Sequence, residues 1–163
     1  MSNNRLELNT DKTVFVLLGT RQQVEKANFP SVQLDRIAVH LSTTVTCLGV
    51  LIDRELTFSA HIKRFTGRCF HQLHQLRTIR RALSVEAART HVHAFVINRV
   101  DYCNSIFGST SVVHLRPLQC VLNAAARLIV KWRKFDRITD FLRDELHWLP
   151  AQYRHTYKRW LLV

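Results

Sequence analysis

CLGVLIDRELTFSAHIKRFTGRCFHQLHQLRTIRRAL, Cys47–Leu83, holds the point where this chain changes character. Leu48, Gly49, Val50, Leu51 and Ile52 form an apolar, strand-like run, and Asp53, Arg54 and Glu55 turn the chain. From Ser59, a good N-cap residue, the spacing switches to a helical one. Ile62, Phe65, Cys69, Leu73 and Leu76 recur every three or four residues and make one apolar stripe. Lys63, Arg64, Arg68, His71, His74, Arg77 and Arg81 occupy the remaining circumference. Arg80 falls nearer the stripe, where its aliphatic stem can cover apolar surface. Aspartate and glutamate are absent from Ala60 to Val85, whereas an ordinary solvated helix face mixes the two signs.

Upstream the chain reads as strands. Thr13–Gly19 (TVFVLLG) is β-branched and apolar, the pattern of a buried strand closed by glycine. Gln22–Asn28 is polar, a loop or short helical turn. Val32–Leu34 and Ile37–Leu41 read as a hairpin about Asp35-Arg36, and Val45–Ile52 as a further strand. Downstream it reads as helices. Ser84 caps a second helix with Glu86 in its first turn; Val85, Ala88, Val92, Phe95 and Val96 form its stripe. A third covers roughly Leu115–Trp132, with Pro117 in its first turn and Leu118, Leu122, Ala125 and Ile129 on one face. A short helix follows around Asp140–Leu146, and Pro150 opens a last one that reaches Val163 without a C-cap signal, the pattern of a truncation. The expected fold is therefore α+β: a small, mostly antiparallel sheet within residues 1–58, then a helical bundle over 59–163.

Composition narrows the functional classes. The chain has 163 residues, of which 24 are Lys or Arg and 12 Asp or Glu, a net charge of +12. A surface so basic suits a polyanionic partner, nucleic acid before an anionic membrane. No apolar run is long enough to span a bilayer and no signal peptide opens the chain. Cys47, Cys69, Cys103 and Cys120 form no C-x-x-C pair and read as reduced, mostly buried thiols of an intracellular protein. Cys69, His71, His74, His91 and His93 lie close in sequence but match no zinc spacing, so no metal site is expected. The four glycines are too far apart for a phosphate loop, and no G-x-S-x-G motif occurs. The acidic residues are scattered, Asp53 and Glu55 on a turn and Asp144 and Glu145 on a helix; no carboxylates are expected to converge as two-metal phosphoryl transfer requires.

Five stretches carry a family resemblance. LNTDKTVFVLLGT (Leu8–Thr20) resembles the L-N-x-x-K-T segment of non-LTR (LINE, jockey-like) retrotransposon reverse transcriptases, and CLGVLIDRELTFSAHI (Cys47–Ile62) their L-G-V-x-x-D-x-x-L-x-F-x-x-H-I segment. RVDYCNSIFGS (Arg99–Ser109), LRPLQCVLNAAARLI (Leu115–Ile129) and ELHWLPAQYR (Glu145–Arg154) resemble three further segments, all in family order. The resemblance implies the end of a polymerase palm over 1–58 and a thumb with its C-terminal extension over 59–163. It places Lys12 near the incoming triphosphate and a primer-grip turn at Leu48, Gly49 and Val50. It implies a template–primer duplex of RNA and DNA along the thumb helices, which agrees with the charge pattern read above: Lys63, Arg64, Arg68, Arg77 and Arg81 are expected to contact nucleic acid without sequence preference. The family's F/Y-A-D-D motif does not occur and by resemblance would precede Met1. The parent's magnesium chemistry is thus expected to lie in a missing palm domain, a partner of this chain, which is no enzyme alone and holds no cofactor. The alternative is a host-used binding or protein-interaction module derived from a retroelement.

Overall fold

The computed structural model describes residues 9, 12–27, 31–34 and 37–162. The chain forms two compact units, Met1–Phe58 and Ser59–Val163, the first built of strands with one short helix and the second of helices. The α+β class expected from the spacing is the class observed.

In the first unit β1 (Phe15–Val16) pairs in parallel with β3 (Ile37–Ser42), which pairs antiparallel with β2 (Ser31–Leu34). The turn expected at Asp35-Arg36 lies outside the described residues; the two strands pair with Leu34 opposite Ile37. The strand expected over Thr13–Gly19 shrinks to two residues. Val14 and Leu18 are 50% and 52% exposed, so the run is not buried on both faces. Thr20 then starts α1 (Arg21–Lys26) with a capping box, its side chain and that of Gln23 each accepting the other's backbone N–H.

The expected strand Val45–Ile52 is instead a second, separate hairpin of β4 (Thr44–Cys47) and β5 (Val50–Asp53). Its turn is Leu48-Gly49, at φ 47° and 83°. Positive φ at both central residues is the requirement of a type I′ turn, whose twist matches that of the flanking strands. An apolar residue at the first of these positions conceals the turn.

In the second unit α2 (Ser59–Ile79) buries Ile62, Cys69, Leu73 and Leu76 of the expected stripe and leaves Phe65 only half-buried. Helix α3 (Val85–Val92) begins at the Ser84 cap, whose Oγ accepts the Ala87 N–H at 3.1 Å. It continues through a π turn over His93–Ile97 into α4 (Asn98–Asp101). The wider turn brings Val96 and Ile97 into the core together and leaves Phe95 43% exposed, off the stripe it was expected to join. Helix α5 (Val112–Val130) is the centre of the unit; α2, α3 and α6 (Ala151–Leu161) all pack against it. Hence Leu118, Leu122, Ala125 and Ile129 are buried, and so are Leu115, Val121, Ala126 and Leu128 around them. This helix starts three residues earlier than expected, which puts Pro117 inside it. The amide that proline lacks would have reached Val113, which lies in the exposed first turn where water can serve its carbonyl.

Of the four thiols only Cys69 is buried, against the expectation that most would be; Cys47 and Cys120 are exposed. Burial pushes the Cys69 thiol up to about 11, with Arg99 pulling weakly the other way.

Candidate nucleic-acid interface

All five cations assigned to the basic helix, Lys63, Arg64, Arg68, Arg77 and Arg81, are exposed. They do not form one cluster. Lys63, Arg64, Arg68 and Arg77 span about half the circumference of α2 at 100° per residue, with Lys63 and Arg77 about 20 Å apart along it, whereas Arg81, expected on the same helix, lies in the turn after α2 ends at Ile79. Lys63, Arg64 and Arg68 occupy the outer face of the first half of α2. Arg77 and Arg81 belong to a groove of about 880 Å³ between the C-terminal ends of α2 and α5. Its other basic walls are Arg127, Lys131, Arg133 and Lys134, with Phe70 and Trp132 between them and no acidic side chain.

These downstream cations were missed because no single helix carries them. The sequence signal, the basic and aromatic run KWRK at Lys131–Lys134, gains meaning only when the fold sets it beside Arg77. Arg80 is the other residue read incompletely. It is buried, and rather than covering the stripe it donates from Nε to Leu128 O at 2.8 Å, from Nη2 to Ile129 O at 2.5 Å and from Nη1 to Leu83 O at 2.7 Å. It thereby caps the carbonyl end of α5 and forms the floor of the groove.

Lys12 is exposed in the first unit and its backbone N–H is bonded to Asn9. Leu48 and Gly49 form the turn of the second hairpin, with Leu48 82% exposed and Val50 buried behind it. Among the described residues no three His, Cys, Asp or Glu side chains group as metal ligands would, so the donors present do not fit a magnesium pair. No described helix is long and apolar enough to cross a membrane.

The motif residues mostly serve the architecture. Asp53 accepts four hydrogen bonds from the turn that follows it. Asp101 pairs with the buried Arg154 at 2.6 Å and accepts Asn104 Nδ2 at 3.3 Å, which joins two of the recognised segments. Gln119 ties a third segment to the last of these: its Oε1 takes the Ala151 N–H at the start of α6, and its Nε2 donates to Asn123. Arg127 Nη2 holds the carbonyl of Asp136, fixing the segment after α5.

His61 lies at the buried side of α2 among the rings of Phe65 and Phe107. Burial, then the charges of Arg64 and Arg68, lower its pKa below 6.5. A folded value below the unfolded one means the unfolded chain binds the proton more readily. The stability due to neutral His61 is therefore complete above pH 6.5 and is lost as pH falls through the folded value. His155, lowered by burial and then by Arg159, acts with the same sign. Urea midpoints should fall between pH 7.5 and pH 5.5, and His61→Phe should make that fall shallower. Parallel declines in the two proteins would remove His61 as its source.

The recognised segments interlock within a basic helical unit, and the chain is similar to the reverse transcriptases of non-LTR retrotransposons. Over 156 residues, 93% of the chain, it is 27% identical to the probable RNA-directed DNA polymerase from transposon BS of Drosophila melanogaster. Over 118 residues, 71% of the chain, it is 30% identical to the probable RNA-directed DNA polymerase from transposon X-element of the same organism. The chain spans 17% and 13% of the length of these two relatives. No family model matches it, and no solved structure does.

Proposed function

We propose that this chain is a nucleic-acid-contacting part of an RNA-directed DNA polymerase: the end of a palm over 1–58 and a thumb-like helical unit over 59–163. It binds a template–primer duplex without reading its sequence. The observation that carries this reading is the acid-free exposed face of α2, fixed in place by the buried stripe behind it. Cations fixed along a rigid helix neutralise phosphates and release counterions, a term indifferent to base sequence. In the same reading Lys12 lies near the incoming triphosphate, and Leu48, Gly49 and Val50 form the primer-grip turn. The polymerase chemistry needs converging carboxylates on magnesium, which would come from outside this chain.

Binding to a heteroduplex should fall steeply with salt. If roughly four phosphates are neutralised, log K against log salt has a slope of about −3 to −4. Changing Arg64, Arg68 and Arg77 to glutamine should flatten the slope by about one unit for each cation removed, and equally on unrelated sequences. Binding indifferent to salt, or a folded triple variant that binds like the parent, would end this reading.

A further inference from the structure

We propose that the groove between α2 and α5 binds an unpaired stretch of nucleic acid, with Trp132 as the platform on which a base stacks. This rests on the nucleic-acid reading above and goes beyond it, because the outer face of α2 offers only charge.

Three features of the groove point to a single strand. The first is its charge: Arg77, Arg81, Lys131, Arg133 and Lys134 line it with no acidic side chain among them. The second is its aromatic content. Phe70 and Trp132 line the groove yet remain 42% and 44% exposed. A duplex stacks its bases on one another and presents phosphates, sugars and base edges, so exposed rings have little to hold there. An unpaired base presents its flat face, and cations interleaved with such rings are how single strands are gripped without sequence preference.

The third feature is preorganisation. The Trp132 ring leans on Phe141, with centroids 5.6 Å apart and planes tilted by 49°. Its backbone is tied down on both sides: its N–H reaches Arg127 O at 3.1 Å, and the Arg133 N–H reaches the Asp136 carboxylate at 2.6 Å. The one carboxylate in this segment is thus turned to the backbone. Lys131, in the left-handed conformation at φ 59°, ends α5 and turns the chain into the segment that lines the groove. A ring already braced loses little freedom when a base settles on it.

An acidic peptide would satisfy the cations equally well but has no flat group for the ring. The test uses the full chain and two labelled probes, an oligodeoxythymidine of about eight nucleotides and a blunt duplex of the same length, followed by fluorescence anisotropy. Trp132→Ala should weaken the single strand about tenfold and leave the duplex within about twofold, while Trp132→Phe retains most of the single-strand affinity. A second variant, Arg133→Gln with Lys134→Gln, changes only exposed side chains and should weaken the single strand and flatten its salt slope. Should the duplex bind while Trp132→Ala leaves the single strand unchanged, or weakens both probes equally, this proposal is overturned and the basic-face reading stands. Displacement of the oligonucleotide by polyglutamate at equal charge concentration would assign the groove to an acidic peptide instead. If neither probe binds the unaltered chain, both readings fall.

Discussion

Replacing Arg80 with methionine is expected to destabilise the helical unit by about 3 kcal/mol. The volume is nearly kept, so the loss is electrostatic and not a cavity. In the parent the guanidinium meets Leu128 O, Ile129 O and Leu83 O, and the first two belong to the last turn of α5. Those carbonyls are among the four a helix leaves without an internal partner. Beside a cation they also sit at the negative end of the helix dipole. Methionine would leave them buried and unpaired, at about 1–3 kcal/mol each before relaxation. Lysine keeps the charge but not the planar fork that reaches three acceptors at once, so Arg80→Lys should fall between the two. The measurement is the urea unfolding midpoint, with amide exchange at the end of α5 as the local readout. A methionine variant within about 1 kcal/mol of the parent would mean that water reaches those carbonyls.

Arg80 also shows where sequence reading stops. At 100° per residue it lies over the middle of the stripe of Ile62, Cys69, Leu73 and Leu76, and that phase was legible. What it bonds to was not, because the end of α5 lies 48 residues away along the chain. The same limit hid the groove, since Arg77 and Lys131–Lys134 meet only through the packing of α2 on α5. By contrast the α2 stripe, the Ser84 cap and the buried face of α5 follow from local spacing and were readable. The Leu48-Gly49 turn was not, because a leucine at positive φ breaks the local rule that marks turns by their composition. Nor was the π turn at His93–Ile97, whose apolar spacing looks like that of an unbroken α-helix.

The Asp53 carboxylate provides the second large effect. Oδ1 accepts the Glu55 N–H at 3.2 Å and the Thr57 N–H at 2.9 Å; Oδ2 accepts the Phe58 N–H at 2.7 Å and the Thr57 hydroxyl at 3.1 Å. One side chain thus organises the whole turn that follows β5. That turn needs an organiser, because Leu56 and Phe58 are both held at positive φ, 54° and 55°. Each non-glycine residue there costs roughly 1 kcal/mol. Hydrogen bonds to a charged acceptor contribute about 1.5–3 kcal/mol apiece, less than additively when they share one group. Asp53→Ala is therefore expected to cost about 2–3 kcal/mol locally. Amide exchange at Thr57 and Phe58 should then quicken by roughly thirty- to a hundred-and-sixtyfold. Asp53→Asn is the sharper probe. Its amide nitrogen, placed at the Oδ2 position, confronts the Phe58 N–H donor to donor, while the oxygen still serves Glu55 and Thr57. Phe58 should therefore lose protection well ahead of Thr57 in the asparagine variant and together with it in the alanine variant. Equal protection at both amides in all three proteins would show that the turn is held by its packing, and that the aspartate of this recognised segment has some other task.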